Sequence, residues 1–93
     1  MFIKEKERIY MNNEEGQMVA EVTFPEVREG VNNINHTFVD GSLRGQGIAG
    51  KLMKEAVNTI RANGNEIEAS CTYAIKWLFF ICNYLSCMYN LYL

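Results

Sequence analysis

Three glycines lie close together in the middle of the chain, within residues 45–50. They are Gly45, Gly47 and Gly50. A glycine removes the side chain where the backbone must come close to a bound molecule. The segment directly precedes a predicted helix, whose first amides have no internal acceptor and whose dipole favours anions. We therefore expect a phosphate- or pyrophosphate-binding loop, with Arg44 and Lys51 adding positive charge at its rim.

The glycine segment has three other possible interpretations. The glycines could simply allow tight packing at a turn between a strand and a helix. A dinucleotide-binding motif is not indicated, because the strand before the segment is not the first strand of the chain. A Walker motif is excluded because Lys51 is followed by Leu52 and not by serine or threonine. Phosphate binding and tight packing both stay open at this point.

Two further side chains could take part in catalysis. Cys71 lies just before a predicted helix that starts at Thr72, and a helix start favours a reactive thiolate. The alternative for Cys71 is a small buried apolar residue. His36 is the single histidine, and histidine is the side chain that changes charge near neutral pH. It could act as a base or proton shuttle, or activate Cys71 if the two side chains converge. The alternative is a hydrogen-bonded structural histidine.

The spacing of apolar residues predicts the strands that position these groups. Strands are expected over residues 2–11 (a strand pair or one bent strand), 18–24, 31–39 and 65–70, with a polar connection over 26–30. In the third of these, Ile34, His36 and Phe38 are expected to share one face, because side chains alternate along a strand.

An amphipathic helix of about four turns follows the glycine segment, with apolar residues spaced by three and four from Ile48 to Ile60. Asn63 and Gly64 are expected to end it, and a second helix is expected from Thr72. A strand–helix–strand crossover usually makes its two strands parallel. The fold class is therefore predicted as α/β (α+β). It should contain a mixed, mostly antiparallel sheet, one long helix after the fourth strand and a C-terminal helix.

Composition limits the class of protein. A chain of 93 residues with 48% hydrophobic and 22% charged residues is typical of one small globular domain. A net charge of −2 argues against a nucleic-acid partner. The three cysteines are odd in number and there is one histidine, so neither a disulfide scaffold nor a metal site is predicted. The charged start over residues 1–8 is unlike a secretory signal, and a cytoplasmic location is expected.

Residues 77–93 form an apolar C-terminal segment without any charged side chain. It is shorter than the about 20 apolar residues that span a membrane, and Asn83, Ser86 and Asn90 dilute it, so membrane insertion is not expected. We expect a buried element, or a surface for a second copy or a protein partner. A damaged or frame-shifted end would show the same pattern.

The glycine segment also resembles a known family. Residues 44–49, Arg-Gly-Gln-Gly-Ile-Ala, match the Gln/Arg-x-x-Gly-x-Gly/Ala motif of the GCN5-related N-acetyltransferase (GNAT) superfamily. The chain is most similar to the small stand-alone, YjdJ-like members. These combine an Ile-x-His-Thr-x-Val strand with the glycine motif and a later Cys-x-Tyr/Phe. Here the two flanking motifs are residues 34–39 and 71–73, and the combined match spans about residues 17–77.

The resemblance implies a site for acetyl-CoA and an acceptor amine. Cofactor-binding residues would be Phe38, Val39, Arg44, Gly45, Gln46, Gly47, Ile48, Ala49, Gly50 and Lys51. The loop would hold the pyrophosphate, and the backbone of Phe38 and Val39 would run beside the pantetheine arm. Cys71 and His36 would be the catalytic residues. Cys71 would act as a nucleophile forming an acetyl-cysteine or as the acid for the departing thiolate, and His36 as a base.

The resemblance predicts one minimal N-acetyltransferase domain over residues 1–93, with the acyl-CoA N-acyltransferase fold. Larger family members insert two helices between the first strands, where this chain has only residues 12–16. The acceptor side should therefore be open or completed by a partner. The predicted function is acetyl transfer from acetyl-CoA to an unidentified amine. The alternative is a catalytically weak or inactive CoA-binding module that acts through a protein partner.

Overall fold

The computed structural model describes the backbone of residues 2–85 and 91–92 and the side chains of residues 2–79. The strands are β1 (Ile3–Glu5), β2 (Arg8–Asn12), β3 (Met18–Thr23), β4 (Glu26–Arg28), β5 (Val31–Ile34), β6 (His36–Val39), β7 (Glu66–Ala69) and β8 (Leu91–Tyr92). The helices are α1 (Ile48–Ala62) and α2 (Thr72–Leu85), and a 3₁₀ turn covers Gly41–Leu43.

The strands pair in two four-stranded sheets. The first has the order β1-β2-β3-β6 and is antiparallel throughout. The second has the order β4-β5-β7-β8, with parallel pairs β5–β7 and β7–β8. The strand–helix–strand crossover predicted from the sequence is therefore β5 to β7, with α1 in the connection. Its register places Val31 beside Glu66 and Ile34 beside Ala69.

The stretch 31–39, expected as one strand, is divided at Asn35. The Asn35 amide donates to the carbonyl oxygen of Thr23, and the Thr23 hydroxyl donates to the Asn35 side chain. The part before the division pairs with β7, and the part after it pairs with β3. The alternation is interrupted there, so Ile34 is fully buried while His36 and Phe38 are exposed. The expectation that all three share one face was wrong.

The polar connection expected over 26–30 contains a short strand, β4, antiparallel to β5. Turn chemistry explains this hairpin. The Glu26 carboxylate accepts the amide of Gly30, which has the positive φ of 80° that favours glycine. The Asn33 amide donates to the carbonyl oxygen of Pro25. Polar residues therefore form a sheet edge here through side-chain-to-backbone bonds rather than through apolar alternation.

Helix α1 carries the core, as its apolar spacing predicts. Its fully buried residues are Leu52, Met53, Ala56, Val57 and Ile60. They pack with buried residues of the strands and of α2, which include Ile9, Val22, Phe24, Ile34, Ile67, Ala74 and Leu78. Each large buried apolar side chain contributes about 1.5–3 kcal/mol relative to exposure. The helix ends where predicted, since Gly64 adopts a φ of 77° just after Asn63.

The predicted apolar segment 77–93 lies largely outside the described side chains, and Cys82 and Cys87 lie outside them altogether. Of its described residues, Trp77 is half-buried, Leu78 is buried and Phe79 is 60% exposed. Within the described part of the chain, neither helix is long and apolar enough to cross a membrane.

Glu68 joins three strands of the second sheet. One carboxylate oxygen lies 2.6 Å from Arg28 Nη2 of β4, and the other accepts a hydrogen bond from the side-chain amide of Asn33 on β5 at 2.7 Å. These two hydrogen bonds hold the pKa of the Glu68 carboxyl below its ordinary value of 4.5. Because the folded form has the lower pKa, this group stabilises the fold above the ordinary value. The stabilisation is lost as pH falls through the folded pKa.

We therefore expect Glu68→Gln to lower the free energy of unfolding at neutral pH and to make it less dependent on pH in acid. Urea unfolding followed across an acid series measures both effects. Glu14→Gln, which removes an exposed turn carboxylate, is the control and should leave the acid dependence unchanged. Parallel curves for wild type and Glu68→Gln at all pH values would show that the Arg28–Glu68 pair carries none of this stability.

Candidate functional site

A gap opens between β6 and the start of α2. The pairing of β5 with β7 ends at Ile34, whose carbonyl oxygen accepts the amides of Ser70 and Cys71, both at 3.2 Å. Beyond this point β6 follows β3, while the other chain turns into α2. The two chains therefore diverge, and we call the space between them the β6–α2 gap.

The free edge of β6 points amides into this gap. The Asp40 amide donates to the carbonyl oxygen of Val19 on β3. Because amides alternate between the two sides of a strand, those of Thr37 and Val39 face away from β3. Neither amide bonds to another backbone or side-chain group of the described residues. One side of the gap thus carries two unpaired hydrogen-bond donors, which follow each other along the edge of β6.

Cys71 lies at the narrow end of the gap. Its thiol, half-buried, is 3.7 Å from the hydroxyl oxygen of Thr37, within the range of a weak S–H···O bond. The Cys71 carbonyl oxygen accepts the amide of Ile75, so the residue stands at the start of α2. The sulfur consequently touches β6 on the face that α1 covers.

His36 lies on the opposite face of β6. Its neighbour Thr37 contacts Cys71, and adjacent side chains of a strand point to opposite faces. The His36 side chain is 53% exposed, and its Nε2 lies 3.4 Å from Glu21 Oε1 on β3. The structure therefore does not bring His36 and Cys71 together, and activation of the thiol by this imidazole has no support in the geometry.

The glycine segment starts with a capped 3₁₀ turn. The Asp40 carboxylate accepts the Ser42 amide at 3.0 Å and the Ser42 hydroxyl at 2.6 Å. Both hydrogen bonds lower the pKa of the Asp40 carboxyl, and the bond from the Ser42 hydroxyl has the larger effect. The Arg44 amide then donates to the carbonyl oxygen of Gly41. The turn fixes the chain between the end of β6 and the loop that follows.

The backbone conformation of the loop requires glycine at positions 45 and 47, whereas close packing does not. Their φ angles are 85° and 70°, where other residues are strained. A Cβ atom built on either one meets no described atom within 4 Å. Gly50 differs, because a Cβ there would lie 3.7 Å from the indole nitrogen of Trp77. The open space above the first two glycines favours the binding interpretation over tight packing.

The start of α1 has the properties of an anion site. No side chain caps the helix at Gly47, and its first turn carries no acidic residue. The first helical amides have no acceptor among the described residues. Arg44 and Lys51 are exposed and make no ion pair with any described side chain. Unpaired amides and two free cations together attract a phosphate group.

A cleft of about 260 Å³ connects the loop with the gap. Its lining includes seven of the residues predicted from the sequence, Val39, Arg44, Gly45, Gly47, Ile48, Ala49 and Gly50. Of the other predicted residues, Gln46 and Lys51 are exposed beside it, and the Phe38 side chain is 39% exposed on the far face of β6.

Four lining residues were missed by the sequence analysis, namely Asp40, Gly41, Leu43 and Tyr73. Tyr73 closes the cleft from α2, and burial raises the pKa of its hydroxyl. Its place two residues after Cys71, in the quoted Cys-x-Tyr motif, was the available signal.

A family model described as GCN5-related N-acetyl-transferase matches residues 8–79, which is most of the chain. The chain belongs to the GCN5-related N-acetyltransferase family. The α+β fold predicted from the sequence is confirmed by the GCN5-related structures that it resembles.

A GCN5-like protein of Staphylococcus aureus, solved by NMR, is 33% identical with a TM-score of 0.74, and the match covers 91% of this chain and 83% of that one. An acetyltransferase of Bacillus cereus is 26% identical with a TM-score of 0.57. The N-acetyltransferase YhbS of Escherichia coli, solved in complex with CoA, is 24% identical with a TM-score of 0.56 and shows the fold alone. The match spans 43% and 37% of these two larger proteins. Among curated proteins no match is found.

The loop geometry leads to a stability prediction. Gly47→Ala and Gly64→Ala should each lower the free energy of unfolding by about 1 kcal/mol, because both glycines have positive φ and open space around them. Gly50→Ala should not lower the free energy of unfolding, because Gly50 has an ordinary φ inside the helix. Urea unfolding of the three variants measures this. A much larger loss for Gly47→Ala than for Gly64→Ala would contradict the interpretation that strain is the only cost.

Proposed function

We propose that this GCN5-related chain is an acetyl-CoA-dependent N-acetyltransferase, which transfers an acetyl group to an amine. In finer detail we assign it to the small stand-alone, YjdJ-like group, as one minimal domain over residues 1–93 that acts in the cytoplasm. The observation that carries the proposal is the cleft. It joins an anion site at the start of α1 to a gap lined by free amides beside a cysteine.

The residues of the loop fit the cofactor. CoA carries a pyrophosphate, and Gly45 and Gly47 leave room for it to approach the backbone. Arg44 and Lys51 would offset its charge, and Gln46, Ile48, Ala49 and Gly50 would complete the loop. From there the cleft leads to Val39. The pantetheine arm would run beside the backbone of Val39 and of its neighbour Phe38. A protein of Escherichia coli with this fold was solved in complex with CoA, which supports CoA as the ligand.

Bound acetyl-CoA would supply the acetyl group as a thioester, whose carbonyl oxygen becomes more negative during attack by an amine. The amides of Thr37 and Val39 point into the gap, about 7 Å apart along the strand. One of them would donate to that oxygen, and the other would bond to the pantetheine arm. Fixed donors of this kind contribute about 2.7–4 kcal/mol each in acyl transfer, since they need no reorganisation. The division of the strand at Asn35 is what leaves these amides unpaired.

Cys71 has two candidate roles, nucleophile or acid. We favour the acid, because its S–H is within range of the Thr37 hydroxyl on the side of the gap reached from the cofactor cleft. In that role it would give its proton to the departing thiolate. His36, on the other face, would take the proton of the amine.

A second candidate function is a CoA-binding module without turnover, acting through a second copy or another protein. The 60% exposure of Phe79 favours it, since an exposed phenylalanine at the start of the apolar segment 77–93 is typical of a contact surface. This candidate predicts cofactor binding, no acetyl transfer, and self-association that is lost when residues 80–93 are removed.

Calorimetric titration of acetyl-CoA tests the cofactor site. We expect saturable binding to the wild type and at least tenfold weaker binding to Gly47→Ala, about 1.4 kcal/mol, because the added methyl fills the space above the loop. Gly64→Ala is the matched control. It has the same backbone strain at the other end of α1, and should bind like the wild type. Equal affinity of all three proteins, or no binding to folded wild type, would contradict the proposal.

The role of Cys71 is tested with hydroxylamine and small primary amines as acceptors. As the acid, Cys71→Ala should slow transfer about 100-fold, with acetyl-CoA affinity kept. Mass spectrometry of the wild-type peptide around Cys71 should show no acetyl group during turnover. An acetylated Cys71 that is consumed when the amine is added would make this residue the nucleophile instead.

A further inference from the structure

A cluster of polar and aromatic side chains lies on the outer face of the first sheet, opposite to the face that α1 covers. The register aligns Tyr10 with Glu21 on β2 and β3, and Glu21 with Phe38 on β6. Directly paired residues share a face, so the three side chains stand in one row. Arg8 and His36 flank the row through their contacts with Glu21. The site described above makes no use of Glu21.

Arg8 fixes the Glu21 carboxylate. Its Nε donates to Glu21 Oε2 at 2.5 Å, and its guanidinium lies 3.9 Å above the ring of Tyr10. The hydrogen bond to Glu21 is the main reason that the pKa of Arg8 is raised. Glu5 also lies 3.6 Å from Arg8. The Glu21 side chain is only 15% exposed, so it has little freedom to rotate away.

The second oxygen of this carboxylate faces the histidine. Glu21 Oε1 is 3.4 Å from His36 Nε2, and the described residues give this oxygen no hydrogen bond. A carboxylate favours a proton on the nitrogen that faces it. The neutral ring would then carry its proton on Nε2 and its lone pair on Nδ1. The His36 ring, 53% exposed, can present Nδ1 to a molecule arriving from solvent.

His36 also has the right place along the strand. It directly follows Asn35, where β5 and β6 separate, and precedes Thr37, whose amide points into the β6–α2 gap. The gap is therefore bordered by Cys71 on one face and by His36 on the other. An acceptor that approaches from the outer face meets the imidazole before it reaches the gap.

We propose that Glu21, fixed by Arg8, is the positioning residue that holds the His36 imidazole as base for a protonated amine entering from the outer face. This rests on the proposed function. The proton moves from the ammonium nitrogen to His36 Nδ1, and the Glu21 carboxylate offsets the new positive charge. The freed nitrogen lone pair forms the bond to the acetyl carbon, and the C–S bond breaks with its electron pair on sulfur, which takes the proton of Cys71. The acylated nitrogen loses its second proton to water, and Cys71 regains a proton from water. The imidazolium returns its proton to water.

Two kinds of nucleophile separate a base from a general loss of structure. Ethylamine, benzylamine and spermidine are protonated at neutral pH and need a base, whereas hydroxylamine is largely unprotonated there. We expect Glu21→Gln to reduce kcat/KM for the alkylamines about 10- to 100-fold, part of what a general base contributes. With hydroxylamine the reduction should be less than threefold. Glu68→Gln is the matched control, because it breaks a similarly half-buried Arg–Glu pair that contains no histidine. Glu68→Gln should change kcat/KM by the same factor for the alkylamines and for hydroxylamine.

The ring nitrogens of His36 provide a readout without turnover. Nitrogen NMR of ¹⁵N-histidine protein should show one tautomer, with the proton on Nε2, in the wild type and a mixture in Glu21→Ala. An unchanged tautomer in a folded Glu21→Ala protein would overturn the positioning role alone. Equal reductions of kcat/KM for the alkylamines and for hydroxylamine in Glu21→Gln would overturn the role of His36 as the base. Acetyl-CoA binding by wild type with no turnover of any amine would overturn the proposed function and the base with it.

Discussion

The hydrogen bonds between Asn35 and Thr23 are the constraint on which the rest of the site depends. They end the alternation of a strand that would otherwise continue beside β7. If the strand continued beside β7, the amides beyond Ile34 would donate hydrogen bonds to β7 within the sheet. Instead β6 follows β3, and its other edge is left free next to Cys71. A single polar residue in an otherwise regular strand thus creates both the gap and its unpaired donors.

The core then fixes the distance between the gap and the anion site. Helix α1 buries five residues against both sheets, so its first turn is held rigidly at the end of β6. The loop between them is short and has positive φ at Gly45 and Gly47, where the open space lies. The free energy of apolar burial therefore supports a loop in which the first amides of α1 are left without acceptors among the described residues. Because the apolar core stabilises the fold, this small domain can leave the polar donors of the loop unpaired.

Local patterns predicted the parts of the site that are close in sequence. The apolar spacing of α1, the C-cap at Gly64 and the glycine spacing each depend on a few consecutive residues, and the structure has all three. The division at Asn35 depends on Thr23, twelve residues away, and no local pattern shows it. Glu21 was missed for the same reason, since its two partners come from neighbouring strands.

The separation of His36 from Cys71 also fits the proposed reaction. Acyl transfer from a thioester to an amine needs a base where the amine enters and an acid where the thiolate leaves. A histidine in contact with the cysteine would take the proton that the thiolate requires. A β-strand separates such groups at no cost, because residues 36 and 37 necessarily point to opposite faces. Thr37 touches the thiol and His36 touches the carboxylate, so one dipeptide connects both half-sites. In the proposed reaction the sequence His-Thr would therefore serve both sides, with Glu21 beside the proposed base and Cys71 beside the proposed acid.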